Sequence, residues 1–196
     1  MKKILFVIGI LTTSVSFCQT TVRFGVLADA NYSGSGMGTI GLDAGGLIES
    51  SFNRPDSKLR LQLEARYSQI NNRYEDLRIR TQQIDIPLLA KYFIFPSLSV
   101  NAGPVFNFNL STQANGLKFY SRPIDNSNHV QTDLAAGFTY YLKHRLFIDF
   151  RYSNIFGRYE GSLNKYALQN GFQYKINTIQ IGVGIRFAPI ITDFIE

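Results

Sequence analysis

The chain is poor in the residue types on which many catalytic and metal sites depend. Its 196 residues include one cysteine, two histidines, two methionines and no tryptophan. The single cysteine, Cys18, excludes an intramolecular disulfide and a site built from several thiolates. The two histidines, His129 and His144, leave little for imidazole-based acid–base chemistry.

Long apolar runs are also missing: no stretch approaches the ~20 consecutive apolar residues that a transmembrane helix needs. The clearest apolar run, residues 4–11, follows Lys2 and Lys3 and precedes a polar stretch. This order is typical of a secretory signal peptide, so we predict that residues 1–18 are removed before Gln19. Lipid attachment at Cys18 is the less favoured alternative, because the bulky Phe17 stands before it.

What the chain does have is strict alternation of apolar and polar side chains. In the segment LRLQLEARY, residues 59–67, the odd positions are apolar and the even positions polar or charged. A period of two indicates a β-strand with two different faces. Comparable segments predict eight strands, at residues 21–30, 39–50, 59–70, 83–94, 98–110, 130–142, 146–154 and 178–187.

The links between these predicted strands alternate in length. Residues 31–38, 71–82, 111–129 and 155–177 form a longer set, and residues 51–58, 95–97 and 143–145 form a shorter set. Successive hairpins of an up-and-down barrel open at opposite ends, so each set belongs to one end. Transmembrane barrels have this asymmetry. The sequence therefore predicts an all-β fold, an eight-stranded antiparallel up-and-down transmembrane barrel over residues 19–187, followed by a periplasmic tail at 188–196.

One face of the predicted strands is apolar and free of charge. The opposite face carries six basic and seven acidic residues, which we predict to form an ion-pair network in the lumen: Arg23, Asp29, Asp43, Glu49, Arg60, Glu64, Arg66, Asp85, Lys91, Asp133, Asp149, Arg151 and Arg186. Alternation alone also permits a soluble lipocalin-like barrel with its apolar face inward. The charge balance, the glycines on the charged face and the aromatic residues near strand ends favour the membrane barrel.

Several motifs resemble the PorT-like small outer-membrane β-barrels of Gram-negative bacteria. The most specific is IDIPLLAKYF at residues 84–93, followed by NAGP at 101–104 and IQIGVGIRF at 179–187. The resemblance spans the expected mature chain and implies an outer-membrane barrel. It also implies that an accessory role in protein secretion or envelope assembly is an alternative function. Unlike most such barrels, the chain continues beyond the aromatic Phe187.

No catalytic, metal or cofactor site is predicted. His144 falls in a tight turn, and the grouping of His129 with Ser127 and Asp133 is of a kind that arises by chance in polar loops. The polar stretch at residues 125–128 offers oxygen ligands but lacks the glycine and the closing glutamate of a calcium loop. We therefore expect a protein that is not an enzyme and has no cofactor.

Basic charge concentrates in the predicted long loops. Four acidic residues stand there against eight basic ones: Arg73, Arg78, Arg80, Lys118, Arg122, Arg158, Lys165 and Lys175. Such a rim suits the phosphates of lipopolysaccharide or an acidic glycan, and nucleic acid is a poor candidate because the loops face the exterior. We thus expect a structural or surface-binding barrel with a plugged polar lumen in contact with outer-membrane lipid. Envelope proteins are further candidate partners.

Overall fold

Eight long antiparallel strands form the body of the molecule in a computed structural model. They are β1 (Thr21–Ser33), β2 (Ile40–Ser51), β3 (Leu59–Tyr74), β4 (Leu77–Phe95), β5 (Leu98–Gly116), β6 (Val130–Leu142), β7 (Leu146–Ile155) and β8 (Asn177–Arg186). The structure describes residues 21–33, 37–51, 57–74, 77–116, 119–123, 130–142, 145–155, 177–187 and 190–191. No helix in these residues is long and apolar enough to cross a membrane.

The sheet closes on itself. Each long strand pairs with its neighbours in the chain, and β8 returns to pair with β1 from Gly25 opposite Arg186 to Ser33 opposite Thr178. Closure gives each of these eight strands a hydrogen-bonded neighbour on both sides, which is the condition for crossing lipid with strands. The predicted eight-stranded antiparallel barrel is confirmed.

Three strands are longer than the sequence pattern indicates. The predicted loop at residues 71–82 is wrong, because β3 continues to Tyr74 and β4 begins at Leu77. Similarly, β5 extends to Gly116 and pairs there with a short strand, Phe119–Pro123. The apolar outward positions stop earlier, but backbone pairing in a hairpin does not require an apolar face. At a rise of ~3.3 Å per residue and a tilt of ~40°, the 19 residues of β4 exceed the ~25 Å apolar band.

The apolar side chains face outward and the charged ones face inward. Leu42 is 67% exposed and Val183 61%, whereas Glu49 and Arg151 are each 1% exposed. The soluble lipocalin-like alternative is therefore wrong, since such a barrel would bury its apolar face. The apolar wall instead suits contact with hydrocarbon.

Exposed aromatic side chains lie towards both ends of this apolar wall. Tyr92, Tyr140 and Phe187 stand near the end that carries the short turns, which we name the short-turn end. Tyr67 and Tyr152 stand nearer the opposite end, which we name the long-loop end. These are the positions expected of the aromatic girdles of a transmembrane barrel.

Part of the predicted periplasmic tail is itself paired. Ile190 and Ile191 lie opposite Val22 and Thr21, so the chain continues along β1 after Phe187. The predicted signal peptide at 1–18 lies outside the described residues.

Candidate functional site

The strongest concentration of charge lies in the lumen near the short-turn end, around Glu49. Its Oε1 atom accepts a hydrogen bond of 2.6 Å from Arg60 Nη1 and one of 2.9 Å from Arg186 Nη1. Arg23 Nη1 lies 3.7 Å from the same oxygen, and Lys91 Nζ lies 3.5 Å from Oε2. One buried carboxylate thus gathers four cations from four different strands.

An apolar and aromatic layer surrounds this cluster. Leu27, Leu47, Phe93, Tyr141 and Phe147 form one buried group that faces the lumen. The Phe93 and Tyr141 rings stack with centroids 5.4 Å apart, and the guanidinium of Arg186 lies 4.3 Å from the centroid of the Tyr141 ring. Lys91 Nζ donates to the Tyr141 hydroxyl at 2.8 Å. Cation–π contacts of this kind stabilise cations that have lost their water.

A second cluster occupies the middle of the lumen around Glu64. Arg151 donates two hydrogen bonds of 2.9 Å to the two carboxylate oxygens of Glu64. Arg66 Nε lies 3.2 Å from Glu64 Oε2, and Arg66 Nη1 lies 3.0 Å from Asp29 Oδ2. Asp149 Oδ2 lies 2.9 Å from Arg151 Nη2. A bidentate arginine–carboxylate pair fixes both partners in direction as well as in distance.

Three of the thirteen predicted network residues, Asp43, Asp85 and Asp133, do not take part in ion pairs within the described residues. Their hydrogen-bond partners are neutral. These partners are inward-facing amide and hydroxyl side chains, which donate hydrogen bonds to the three carboxylates.

The hydrogen bonds of these aspartates come from side chains on five of the eight strands. Asn31 Nδ2 and Gln180 Nε2 donate to Asp43 at 2.6 and 2.9 Å, and the Ser68 hydroxyl also donates to it. Gln83 Nε2 donates to Asp85 at 2.6 Å, and Asn107 Nδ2 donates to Asp133 at 2.6 Å.

Lumen charge is consequently sorted along the barrel axis. Arg23, Arg60, Lys91 and Arg186 lie near the strand termini of the short-turn end, beside the single acid Glu49. On β4, Asp85 lies further towards the long-loop end than Lys91 does, and on β1 Asp29 lies further than Arg23. The short-turn half is therefore basic and the long-loop half acidic.

The predicted basic rim is only partly described. Arg73 lies in β3, Arg78 and Arg80 lie in β4, and Arg122 lies in the short strand Phe119–Pro123, so the expectation that these positions are loops is wrong. Arg73 stands directly opposite Arg78 in the register, and Arg80 stands opposite Asn71. Lys118, Arg158, Lys165 and Lys175 lie outside the described residues, as do His129 and His144.

The aromatic layer of the lumen was missed by sequence reasoning, although the signal was present. Leu27 shares its face with Asp29, Leu47 with Glu49, and Phe147 with Asp149, so parity alone assigns them inward. Within the described residues, no three His, Cys, Asp or Glu side chains are arranged to hold a metal ion.

A protein-family model described as outer membrane protein beta-barrel domain matches residues 11–157. Among solved structures, a major outer membrane protein from Thermus thermophilus is 16% identical, with a TM-score of 0.54 over 85% of this chain and 99% of that one. Ail, the attachment invasion locus protein of Yersinia pestis, in complex with the heparin analogue sucrose octasulfate, is 12% identical, with a TM-score of 0.50 over 86% and 99%. No curated protein matches significantly.

These likenesses agree on the architecture. At such identities the structural matches speak for the fold alone. The family match places the protein in the outer membrane of a Gram-negative bacterium. Assignment to the PorT-like branch, and the accessory role in secretion that it implies, stays a prediction.

Proposed function

We propose, from the premise that this chain belongs to the outer membrane protein beta-barrel domain family, that it is a non-catalytic, surface-binding barrel with a plugged lumen. The protein lies in the outer membrane of a Gram-negative bacterium. Its structural role would be to hold the basic ribbon above the membrane while the barrel wall stays impermeable. The basic ribbon is the paired outward extension of β3 and β4 that carries Arg73, Arg78 and Arg80.

The observation that carries the plug is a pair of contacts across the full width of the barrel. Glu64 on β3 and Arg151 on β7 are bonded to each other, although three strands separate β3 from β7 in either direction. The Tyr141 hydroxyl on β6 donates to Glu49 on β2 at 3.3 Å, again between opposite walls. Eight strands leave an interior that side chains can fill, and these side chains meet at two levels.

The aromatic layer supports the same proposal. The buried group around Phe93 and Tyr141 lies at the short-turn end, where it adds an apolar barrier to the charged one. A hydrated ion would have to displace stacked rings and then separate a bidentate ion pair. Both steps are costly in an environment of low dielectric.

The surface-binding role rests on the outward extension of β3, β4 and β5. Below the extension the outward positions are apolar, ending at Tyr67 and Ile84, which are cross-strand partners. Above them the outward positions are polar, with Gln69 paired to Gln82 and Asn71 paired to Arg80. The wall thus changes from hydrocarbon contact to polar contact at one level of the barrel.

Basic residues occupy this polar extension. Arg80 is exposed, and its Nη2 atom donates to Gln69 Oε1. The backbone register places positions 73 and 78 opposite each other on the same ribbon. Guanidinium groups at the level of lipid headgroups suit phosphate, which they bind in bidentate fashion. We therefore propose the phosphates of lipopolysaccharide as the ligand.

The test compares the full chain with the variant Arg73→Gln/Arg78→Gln/Arg80→Gln, both refolded in detergent and titrated with lipopolysaccharide. We expect the variant to stay folded and to lose at least five-fold in affinity, most clearly at low salt because screening weakens exposed charges. A variant with Lys58→Gln and Arg145→Gln, two exposed residues at the short-turn end, serves as the control and should bind like the parent.

Equal binding by all three proteins at low ionic strength would contradict the surface role. Titration with sucrose octasulfate alongside lipopolysaccharide distinguishes a soluble sulfated sugar from a membrane glycolipid. Preference for the soluble sugar would assign the ribbon to a glycan of another source.

A further inference from the structure

Three arginines line the opening of the lumen at the short-turn end, which we name the short-turn mouth. Arg23 lies near the start of β1, Arg60 near the start of β3, and Arg186 ends β8. Their side chains are 17%, 11% and 10% exposed, whereas the Glu49 carboxylate that they share is 1% exposed. The mouth therefore presents guanidinium groups to the solvent. Since the short turns of transmembrane barrels are periplasmic, that solvent is the periplasm.

Glu49 has no acceptor capacity left for a further cation. Its Oε1 atom accepts hydrogen bonds from two arginines of the mouth. Its Oε2 atom accepts from Lys91 Nζ at 3.5 Å and from the Tyr141 hydroxyl at 3.3 Å. A carboxylate has about four lone-pair sites, and all of them are therefore taken. The remaining arginine, Arg23, lies 3.7 Å from Oε1, which is too long for a hydrogen bond.

Positive charge and hydrogen-bond donors are consequently left over at the mouth. Within the described residues, one carboxylate makes ion pairs with three cations, even when Arg186 is not counted: Arg23, Arg60 and Lys91. Two positive charges thus have no carboxylate of their own in contact. In addition, Arg60 Nε is a buried donor without an acceptor. Buried polar groups without a partner are rare in folded proteins and call for one.

Two of these arginines are close enough to share one anion. The Nη1 atoms of Arg23 and Arg60 lie 3.7 and 2.6 Å from the same oxygen of Glu49, although the two residues belong to different strands. The Arg60 guanidinium also lies 4.3 Å from the centroid of the Phe93 ring, which restrains its orientation. A tetrahedral anion directs its oxygens to several sides, so neighbouring guanidinium groups can each donate to it.

We propose that Arg23 and Arg60 form a phosphate site at the short-turn mouth, which binds inorganic phosphate or the terminal phosphate of a small periplasmic monoester. A phosphate monoester carries about −1.5 to −2 charges at pH 7, so it offsets the two positive charges that are left over. A carboxylate or a phosphodiester offsets only one of them. Planar guanidinium groups also match phosphate in geometry, because they donate in bidentate fashion.

The shape of the mouth favours a small anion. An eight-stranded barrel leaves an interior just wide enough for side chains. Leu27 and Leu47 lie further inside on β1 and β2, and they belong to the buried apolar group that closes the lumen. A phosphate group can bind above this apolar floor, whereas a lipid headgroup is kept away by the barrel wall. The site lies at the opposite end from the basic ribbon, so it does not depend on lipopolysaccharide binding there.

The experiment uses the full chain refolded from inclusion bodies in a non-ionic detergent, so that no bound lipid brings phosphate of its own. Binding of radioactive inorganic phosphate is measured by equilibrium dialysis at pH 7 and low chloride. Glycerol 3-phosphate and short-chain phosphatidylglycerol serve as competitors. We expect one saturable site, for which the monoester competes and the phosphodiester lipid does not. Stronger competition by the lipid would assign the mouth to a lipid headgroup and contradict the proposal.

Arg23→Gln is the main variant, because the hydrogen bonds that Glu49 accepts stay in place without Arg23. We expect it to weaken phosphate binding at least ten-fold, which is about the effect of losing one hydrogen bond between charged groups. The barrel should keep its heat-modifiable migration on gels. Arg23→Lys keeps the charge without the planar fork, so its loss should be smaller.

Lys58→Gln/Arg145→Gln is the matched control. Both residues are exposed at the same end, just before β3 and β7, and their replacement removes two positive charges outside the lumen. Phosphate affinity should change less than two-fold. A loss equal to that of Arg23→Gln would show general attraction to a basic end and would overturn the mouth as a site.

The acidic residues Asp193 and Glu196, outside the described residues, are the rival occupants, because Ile191 pairs with Thr21 beside the mouth. Asp193→Asn/Glu196→Gln should leave phosphate affinity within two-fold of the parent. A ten-fold gain would assign the mouth to the tail of the chain instead. Absence of saturable binding to the parent up to about 10 mM phosphate, or unchanged binding in Arg23→Gln, would refute the proposal.

Discussion

Arg151 and Glu64 face each other from opposite walls of the barrel and share two hydrogen bonds of 2.9 Å each. The Arg151 side chain is 1% exposed and that of Glu64 is fully buried. The pair is therefore a cross-brace of the lumen as well as a neutralised pair of buried charges, and removal of either partner has a predictable consequence.

We predict that Arg151→Ala lowers the free energy of unfolding by roughly 3–5 kcal/mol, because it leaves a buried carboxylate without its main partner. Urea titration of the barrel in lipid vesicles measures the change. The double variant with Glu64→Ala should cost less than the sum of the two single variants, since neither member of the pair is then left buried without the other. A loss below ~1 kcal/mol in both single variants would argue against the brace.

The free-energy cost of an arginine on the lipid-facing wall should depend on how deep in the membrane it lies. Val183 lies in the apolar band, and Val183→Arg should cost roughly 2–4 kcal/mol. Ile179 lies on the same face of β8 between Tyr32 and Tyr152, its partners on the two adjacent strands. At this aromatic level, Ile179→Arg should cost roughly 0–1 kcal/mol. Equal costs in a vesicle unfolding experiment would show that the level of the membrane is misplaced.

Two glycines, one facing inward and one facing outward, give opposite predictions. A Cβ atom on Gly182 would collide with the Asp29 carboxylate, whereas one on Gly46 would meet only Gly25 O at 3.8 Å. Gly182→Ala should destabilise the barrel by roughly 1–3 kcal/mol through overpacking, and Gly46→Ala should be close to neutral. The apparent melting temperature on gels, read from heat-modifiable migration, compares the two. A reversed order would mean that inward and outward faces are exchanged.

Much of the fold is predictable from the alternation of side chains. The period of two in segments such as residues 59–67 assigns the strands, and the charges on one parity assign the lumen, because only one face can contact lipid. The lengths of β3, β4 and β5 are not predictable in the same way. Beyond Tyr67 the outward residues become polar, so the pattern that marks a lipid-facing strand ends while the hairpin pairing goes on.

The contacts in the lumen are likewise only partly predictable from the sequence. Parity identifies which charged residues face inward, but it does not say which of them meet. Arg66 and Asp85 are direct cross-strand partners, yet the guanidinium reaches Asp29 and Glu64 instead. The long arginine side chain can cross the lumen, so its partner depends on the stagger of the strands and on the free space beside glycines such as Gly45, whose Cβ would meet Arg66.

The central claim is that cross-lumen contacts close this barrel, and electrical recording in planar lipid bilayers tests it most directly. The full chain, refolded and inserted at an orientation checked by protease digestion, should show no sustained conductance above that of the bare bilayer. The Glu64→Ala/Arg151→Ala variant should show brief openings at most, because the Glu49 cluster and the aromatic layer still close the short-turn end. Steady single-channel conductance of the parent protein at low voltage would contradict the account, because it would require an open aqueous path past both the Glu49 and the Glu64 clusters.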